Sequence, residues 1–268
     1  MHSMRSLLSP FMLRVALGAT IAVAVLGSTQ QARAAILEVS PVRVQFQPTQ
    51  QGQELQFVNN GPDVIQTQVR IMRWTQENGQ EQLTPVPSGE IVVSPPIMRI
   101  EPGKQQTVRV IRLHPVAPAT ELSYRMLVDE LPHRDVPHGT GIAILMRYSI
   151  PIFVSTTALP AVGQHHNAPL RTDLSRVHAQ VVPDQGGKAA LRVSNDGHHA
   201  VRISALTTVA PGGQPQYVDN GLVGYVLSGQ HMTWPLNLPY PLSPGLALKA
   251  RFDDDTEAQA VPLDGAGR

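Results

Sequence analysis

The sequence predicts an all-β protein of two β-sandwich domains behind a cleaved leader, and three observations carry that reading. From Ile36 onward, short alternating apolar runs recur, each bounded by turn residues. The 24 prolines and 21 glycines are spread through the chain and leave little room for long helices. The 268 residues exceed what one small sandwich uses and suit two cores.

The leader comes first. Arg5 and Arg14 precede the apolar run Val15 to Gly27, and Ala32-Arg33-Ala34 sets small residues two apart, so cleavage is predicted after Ala34. The run is well short of the roughly 20 residues a bilayer core requires. The leader carries only basic charge, so the mature chain is slightly acidic and has no bulk attraction to nucleic acid. Export without a single cysteine means the domains hold by burial alone, and it excludes thiol chemistry and thiolate metal sites.

In the first domain, residues 35–157, Val42, Val44 and Phe46 alternate with Arg43 and Gln45, and Leu55 and Phe57 flank Gln56. The turn Asn59-Asn60-Gly61-Pro62 ends that strand. Ile65, Thr67, Val69 and Ile71 then alternate with polar residues up to Trp74, followed by the hairpin signal Glu77-Asn78-Gly79. An extended segment from Ser94 leads to the Pro102-Gly103 turn and a strand from Thr107, and residues 122–131 form another. Periodicity breaks between Ala158 and Asn167, which places the boundary there and the second domain at 158–268. Leu191 and Val193, Val201 to Leu206, Tyr225 to Leu227, Trp234 to Leu238 and Leu248 to Phe252 supply its strands.

Catalytic signatures are scarce: no nucleophile elbow, phosphate loop, dinucleotide fingerprint or zinc-protease motif occurs. The pairs His165-His166 and His198-His199 make poor metal ligands, because adjacent residues on a strand face opposite ways. Asp253-Asp254-Asp255 reads as a solvated strand end.

The most apolar strand candidate is Gly141 to Val154. Period two puts Ile142, Ile144 and Met146 on one face, with Ala143 and Leu145 on the other. A central strand buried on both faces fits that pattern. Pro151 argues instead for an edge, since it cannot donate to a ladder, and an apolar edge is a hazard unless a partner pairs with it.

The run Ser94-Pro95-Pro96-Ile97-Met98-Arg99-Ile100-Glu101-Pro102-Gly103-Lys104, continuing into Thr107-Val108-Arg109-Val110, resembles the signature of the PapD-like periplasmic pilus chaperones. Val42-Arg43-Val44, Glu121 to Pro132 and Ile150 to Val154 add to the resemblance, which weakens in the second domain. It implies two immunoglobulin-like domains and a non-enzymatic, cofactor-free chaperone in the periplasm. Its partners would be incomplete pilus subunits and an outer-membrane usher, and a self-capping dimer would hide the edge when free. An adhesive or structural β-sandwich protein, such as a pilus subunit itself, is the alternative.

The resemblance also implies residue roles. Residues 141–154 become the donor strand, with Ile142, Ile144 and Met146 filling a subunit groove. Arg43 matches the family's anchor for the subunit's terminal carboxylate. The family's second anchor, a lysine, falls on Pro151 here, so Arg125 or Arg147 is expected to supply the second cation. Arg109, Glu121 and one of the acids 253–255, taken as Asp254, resemble a structural ion network between the domains. Tyr124-Arg125 and the ending Arg147 to Val154 resemble the archaic branch associated with spore-coat-U-like subunits.

Overall fold

The computed structural model describes residues 37–132, 145–158, 171–184, 186–209, 214–238 and 247–264. Among them every regular element is a strand. The first sandwich contains β1 (Leu37–Ser40), β2 (Val44–Phe46), β3 (Gly52–Asn59), β4 (Ile65–Glu77) and β5 (Gln80–Pro85). β6 (Ile91–Ser94), β7 (Ile97–Ile100), β8 (Gln105–Arg112), β9 (Leu122–Glu130) and β10 (Arg147–Val154) complete it. One sheet runs β1-β3-β8-β6; the other runs β2-β10-β9-β4-β5, with β7 also on β4. The chain changes sheets between β1 and β2 and between β6 and β7, at the cis bonds Ser40-Pro41 and Ser94-Pro95.

The expected alternation sets the core. Phe46, Leu55, Phe57, Val108, Val110, Met126, Ile152 and Val154 are fully buried between the two sheets, and each such side chain contributes about 1.5–3 kcal/mol through burial. Val42 departs from the expectation. It lies in the crossover before β2 and is 75% exposed, so the core-facing alternation starts at Val44.

In the second sandwich, β11 (Val177–Pro183), β12 (Ala189–Asn195) and β15 (Gln230–Pro235) form one sheet. The other runs in the order β14 (Pro215–Val226), β13 (Val201–Val209), β16 (Ala247–Phe252), β17 (Gln259–Ala260). Leu191, Val193, Ile203, Leu248 and Phe252 are buried between them. β14 is much longer than its apolar end at Tyr225 suggests; as an edge strand it leaves most of its length in solvent, so no alternation marks it. β15 starts earlier than expected and places Trp234 over Gly224, where an added Cβ would come within 2.7 Å of the indole.

The two sandwiches share one device. Asn59 and Asn195 are both buried, and each side-chain carbonyl accepts the N–H of the glycine two residues on, at 2.9 Å. Their amides donate to Ile100 O at 2.9 Å and Val226 O at 3.0 Å. Each Asn-x-Gly turn is thereby tied to a neighbouring strand.

The face of the β2-β10-β9-β4-β5 sheet turned away from its own core meets the second sandwich. β4 shows this as a switch of buried face: Ile65, Thr67 and Val69 are buried along its first half, Trp74 and Gln76 along its second. Trp74 and Phe153 pack with Tyr225 and Leu227, and Trp74 meets Tyr225 edge-on at 5.5 Å between ring centroids. Gln76 Nε2 donates to Tyr225 O at 2.7 Å and its Oε1 accepts Leu227 N–H at 2.9 Å. At the β4-β5 hairpin, Asn78 and Gly79 take φ of 52° and 76°, the pattern of a type I′ turn. Gly79 O accepts Thr233 N–H there at 3.3 Å.

Gln76→Ala leaves a buried carbonyl and a buried N–H without partners, so it is expected to destabilise the protein by about 2–4 kcal/mol. Urea unfolding of wild type and variant measures this, and a loss below about 0.5 kcal/mol would mean that water replaces the amide.

Candidate functional site

β10 changes neighbours part-way along its length. Arg147 to Val154 pairs antiparallel with β9, whereas β2 covers only Ile152, Phe153 and Val154, in parallel register with Val44, Gln45 and Phe46. From Arg147 to Pro151 the outer edge of β10 therefore has no described strand beside it. Leu145 and Met146 extend this edge and are about half exposed, while Tyr148 and Ile150, of the same parity as Met146, turn into the core. Ile142 and Ile144 lie outside the described residues. Pro151 stands where the open stretch ends, which suits a residue with no N–H to offer.

One step back from the Ile152↔Val44 pair, the parallel register sets Arg43 beside Pro151. Pro151 pairs with Arg125 on β9, and Arg125 with Met72 on β4. Residues of one row point the same way, so Arg43 and Arg125 flank Pro151 on the face that meets the second domain, with backbones about 10 Å apart. Arg125 is nearly buried: its guanidinium lies 3.6 Å from the Trp74 ring centroid and 5.4 Å from that of Tyr225, and Nη2 pairs with Glu81 at 3.0 Å. Arg147 is on the same face but two rows away, exposed, and paired with Asp129. Arg70 reaches the same carboxylate at 2.7 Å. Burial acts to raise the Asp129 pKa, but hydrogen bonds and charge from Arg147 and Arg70 outweigh it and hold the group below the usual carboxylate range.

Arg43 lies at the domain junction, where Nη2 meets Asp254 Oδ2 at 2.5 Å; Arg202 holds the other oxygen of Asp254 at 3.3 Å. The expected network of Arg109, Glu121 and Asp254 is not formed as one unit. Val108 and Val110 are buried in the core, so Arg109 points out of the opposite sheet and pairs across β3-β8 with Glu54 at 2.8 Å. Glu121 does bridge the domains, accepting Ala200 N–H at 2.6 Å and facing His199 Nδ1 at 3.2 Å, with its carboxylate almost completely buried.

The acidic run is not a solvated strand end. Asp253 accepts Arg202 N–H, Asp254 faces Arg43, and Asp255 is buried against Thr172 and Gln259. The three adjacent carboxylates thus share a set of partners, Arg202 serving Asp253 and Asp254 and Thr172 serving Asp253 and Asp255. Among the described residues no group of three or more His, Asp or Glu could hold a metal ion; His165 and His166 lie outside them.

Residues 36–160 match the family model for the pili and flagellar-assembly chaperone, PapD N-terminal domain. The first domain belongs to the PapD N-terminal domain family of pilus chaperones. Solved chaperones of this kind match both domains in fold. A chain of the CsuC-CsuE chaperone-tip adhesion subunit pre-assembly complex from archaic chaperone-usher Csu pili of Acinetobacter baumannii is 20% identical. That match covers 85% of this chain and 98% of that one, with a TM-score of 0.61. The E. coli chaperone DraB is 19% identical over 87% and 98%, with a TM-score of 0.56. The Salmonella enterica complex of SafA pilin with the SafB chaperone gives 16% identity over 85% and 96%, with a TM-score of 0.54. Among curated proteins, none matches by sequence.

The match to the PapD N-terminal domain favours a pilus-assembly chaperone over the alternative of an adhesive sandwich protein. In this PapD-like domain the motif Pro95 to Lys104 is structural. It carries the chain from the first sheet to the second and turns it into β8 at Gly103, whose φ is 67°. His199 and Gln76 escape a reading of motifs, because their partners lie in the other domain. Trp74 was the available signal, an aromatic on the polar parity of a strand whose apolar residues lie on the other.

The His199 pKa is raised by its hydrogen bond to Glu121; burial opposes this, and the charges of Glu121 and Asp253 add to it. A raised folded pKa gives stability that is complete below the unfolded value near 6.5 and is lost as pH climbs through the folded value. Wild type is therefore expected to exceed His199→Gln in stability at about pH 5.5, by less than about 1 kcal/mol because the ring is half exposed, and to lose that margin by about pH 9. Denaturation at the two pH values checks it, and a margin that grows with pH contradicts the assignment.

Proposed function

We propose that this chaperone works in the periplasm, after removal of residues 1–34, by lending β10 and the residues before it to an unfinished pilus subunit. The stretch of β10 from Arg147 to Pro151, which has no strand on its outer edge among the described residues and is prolonged by exposed Leu145 and Met146, is the observation that carries this reading. A subunit strand added at that edge would gain main-chain hydrogen bonds, while Ile142, Ile144 and Met146 fill its apolar groove. Full burial of three such side chains contributes up to roughly 5–9 kcal/mol before ordering losses. No nucleotide or cofactor is required, since an incoming subunit's own strand can replace the donor at the usher.

Arg43 anchors the subunit's terminal carboxylate at the end of the open edge, where a guanidinium offers a charge-assisted fork. Arg125, in the same row, adds positive charge behind it while remaining stacked on Trp74. Arg147 stands toward the far end of the edge, beside the donor residues rather than the anchor. With Tyr124-Arg125, the ending Arg147 to Val154 resembles the archaic branch associated with spore-coat-U-like subunits.

Ile144→Asp is expected to abolish co-purification of the chaperone with its co-expressed subunits while leaving its circular dichroism and melting unchanged. Undiminished complex would rule out strand donation. Arg43→Ala is expected to weaken subunit capture by about 2–5 kcal/mol in competition binding. A loss under about 0.5 kcal/mol would return Arg43 to the role of an ordinary surface charge.

A further inference from the structure

We infer that Asp254 is an internal substitute for the subunit's carboxylate, occupying Arg43 in the free chaperone and surrendering it when a subunit arrives. The inference rests on the reading of Arg43 as the carboxylate anchor and concerns what that anchor holds beforehand.

The chemistry is matched. A carboxylate already sits on Arg43, with Asp254 Oδ2 at 2.5 Å from Nη2. It is presented by a fixed turn at the end of β16. Asp253 takes a φ of 43°, a left-handed conformation that aspartate tolerates better than most residues. Its N–H donates to Arg202 O at 2.9 Å, its Oδ1 accepts Arg202 N–H at 3.0 Å, and Thr172 Oγ1 donates to its Oδ2 at 3.3 Å. Asp254 is the next residue, so its direction is set by backbone rather than by side-chain drift.

The pair is also exchangeable. The Asp254 side chain is 58% exposed and that of Arg43 33%, and ion pairs so open to water are weak. An open pocket of about 210 Å³ beside Arg43, lined by Gln45, Phe153, His199 and Tyr225 and by the acids Glu121 and Asp253, has room for a second carboxylate on the Arg43 side. Once displaced, Asp254 keeps Arg202, whose Nη2 is 3.3 Å from Oδ1. Neither acid is left without a cation, because the row Arg43-Asp254-Arg202 becomes a subunit carboxylate on Arg43 and Asp254 on Arg202. Gln76 and Trp74 hold Tyr225 without using the Arg43-Asp254 pair, so the domains stay joined during the exchange.

A subunit's chain end, delivered beside a strand already held, acts at high effective concentration and can win this exchange. A free small anion, lacking that advantage, must compete with Asp254 for the guanidinium. The internal acid therefore selects for a carboxylate attached to a docking strand.

The test uses full-length mature chaperone and two synthetic strand peptides of alternating apolar and polar residues, one ending in a carboxylate and one in an amide. Asp254→Asn is expected to bind the acid peptide about 3- to 10-fold more tightly than wild type, with the amide peptide unchanged. Unchanged or weaker binding of the acid peptide, with acid still preferred over amide, overturns the role of Asp254 and leaves the anchor standing. If wild type and Arg43→Ala alike fail to distinguish acid from amide, the anchor reading fails and the inference with it. A readout without peptide is the rate at which phenylglyoxal modifies Arg43, followed by mass spectrometry. Asp254→Asn should raise that rate several-fold and acetate should lower it again; equal rates in wild type and variant overturn the inference.

Discussion

Gln76 reaches out of one domain and holds the main chain of the other through Tyr225 O and Leu227 N–H, beneath an aromatic layer made by Trp74, Phe153 and Tyr225. The hydrogen bonds fix direction and the rings exclude water, so each makes the other more effective. All else at the junction depends on that contact. Arg43 and Asp254, like Glu121 and His199, come from different domains and meet only because the β4-β10 face is pinned against the end of β14. The Arg43-Asp254 pair is too exposed to position two domains unaided.

Much of the first domain was legible because burial writes a period of two into the chain. Leu55 with Phe57, and Ile65 with Thr67 and Val69, point inward as that rule requires. The rule failed where a strand changes what covers it. β4 buries one parity and then the other, and β14 runs along a sheet edge with no apolar face to display. Those features depend on neighbours that local sequence does not contain.

The site was legible in proportion to its locality. The motif beside Val44 singled out Arg43, and Pro151 marked an edge without any knowledge of the fold. The partner of Arg43 was beyond reach, since Asp254 lies 211 residues away. Arg109 was misplaced for a related reason: an arginine in a recognised motif looks functional, yet its parity between Val108 and Val110 sends it to the far side of the sandwich. Arg125 was expected as a second cation for the carboxylate, and the structure lays it against Trp74 with little solvent contact.

The handover of β10 from an open edge to parallel pairing with β2 gives the edge a fixed end stop. A guest strand and β2 would lie on the same side of β10, so they can only abut, and the guest can advance no further than the residue before Val44. That residue is Arg43. Distance along the edge is thereby converted into chemistry: a strand that has travelled its full course brings its end to a positive charge, and one that has slipped by two residues stops about 7 Å short. On the proposed reading of strand donation, the edge would measure the alignment of its guest as well as grip it.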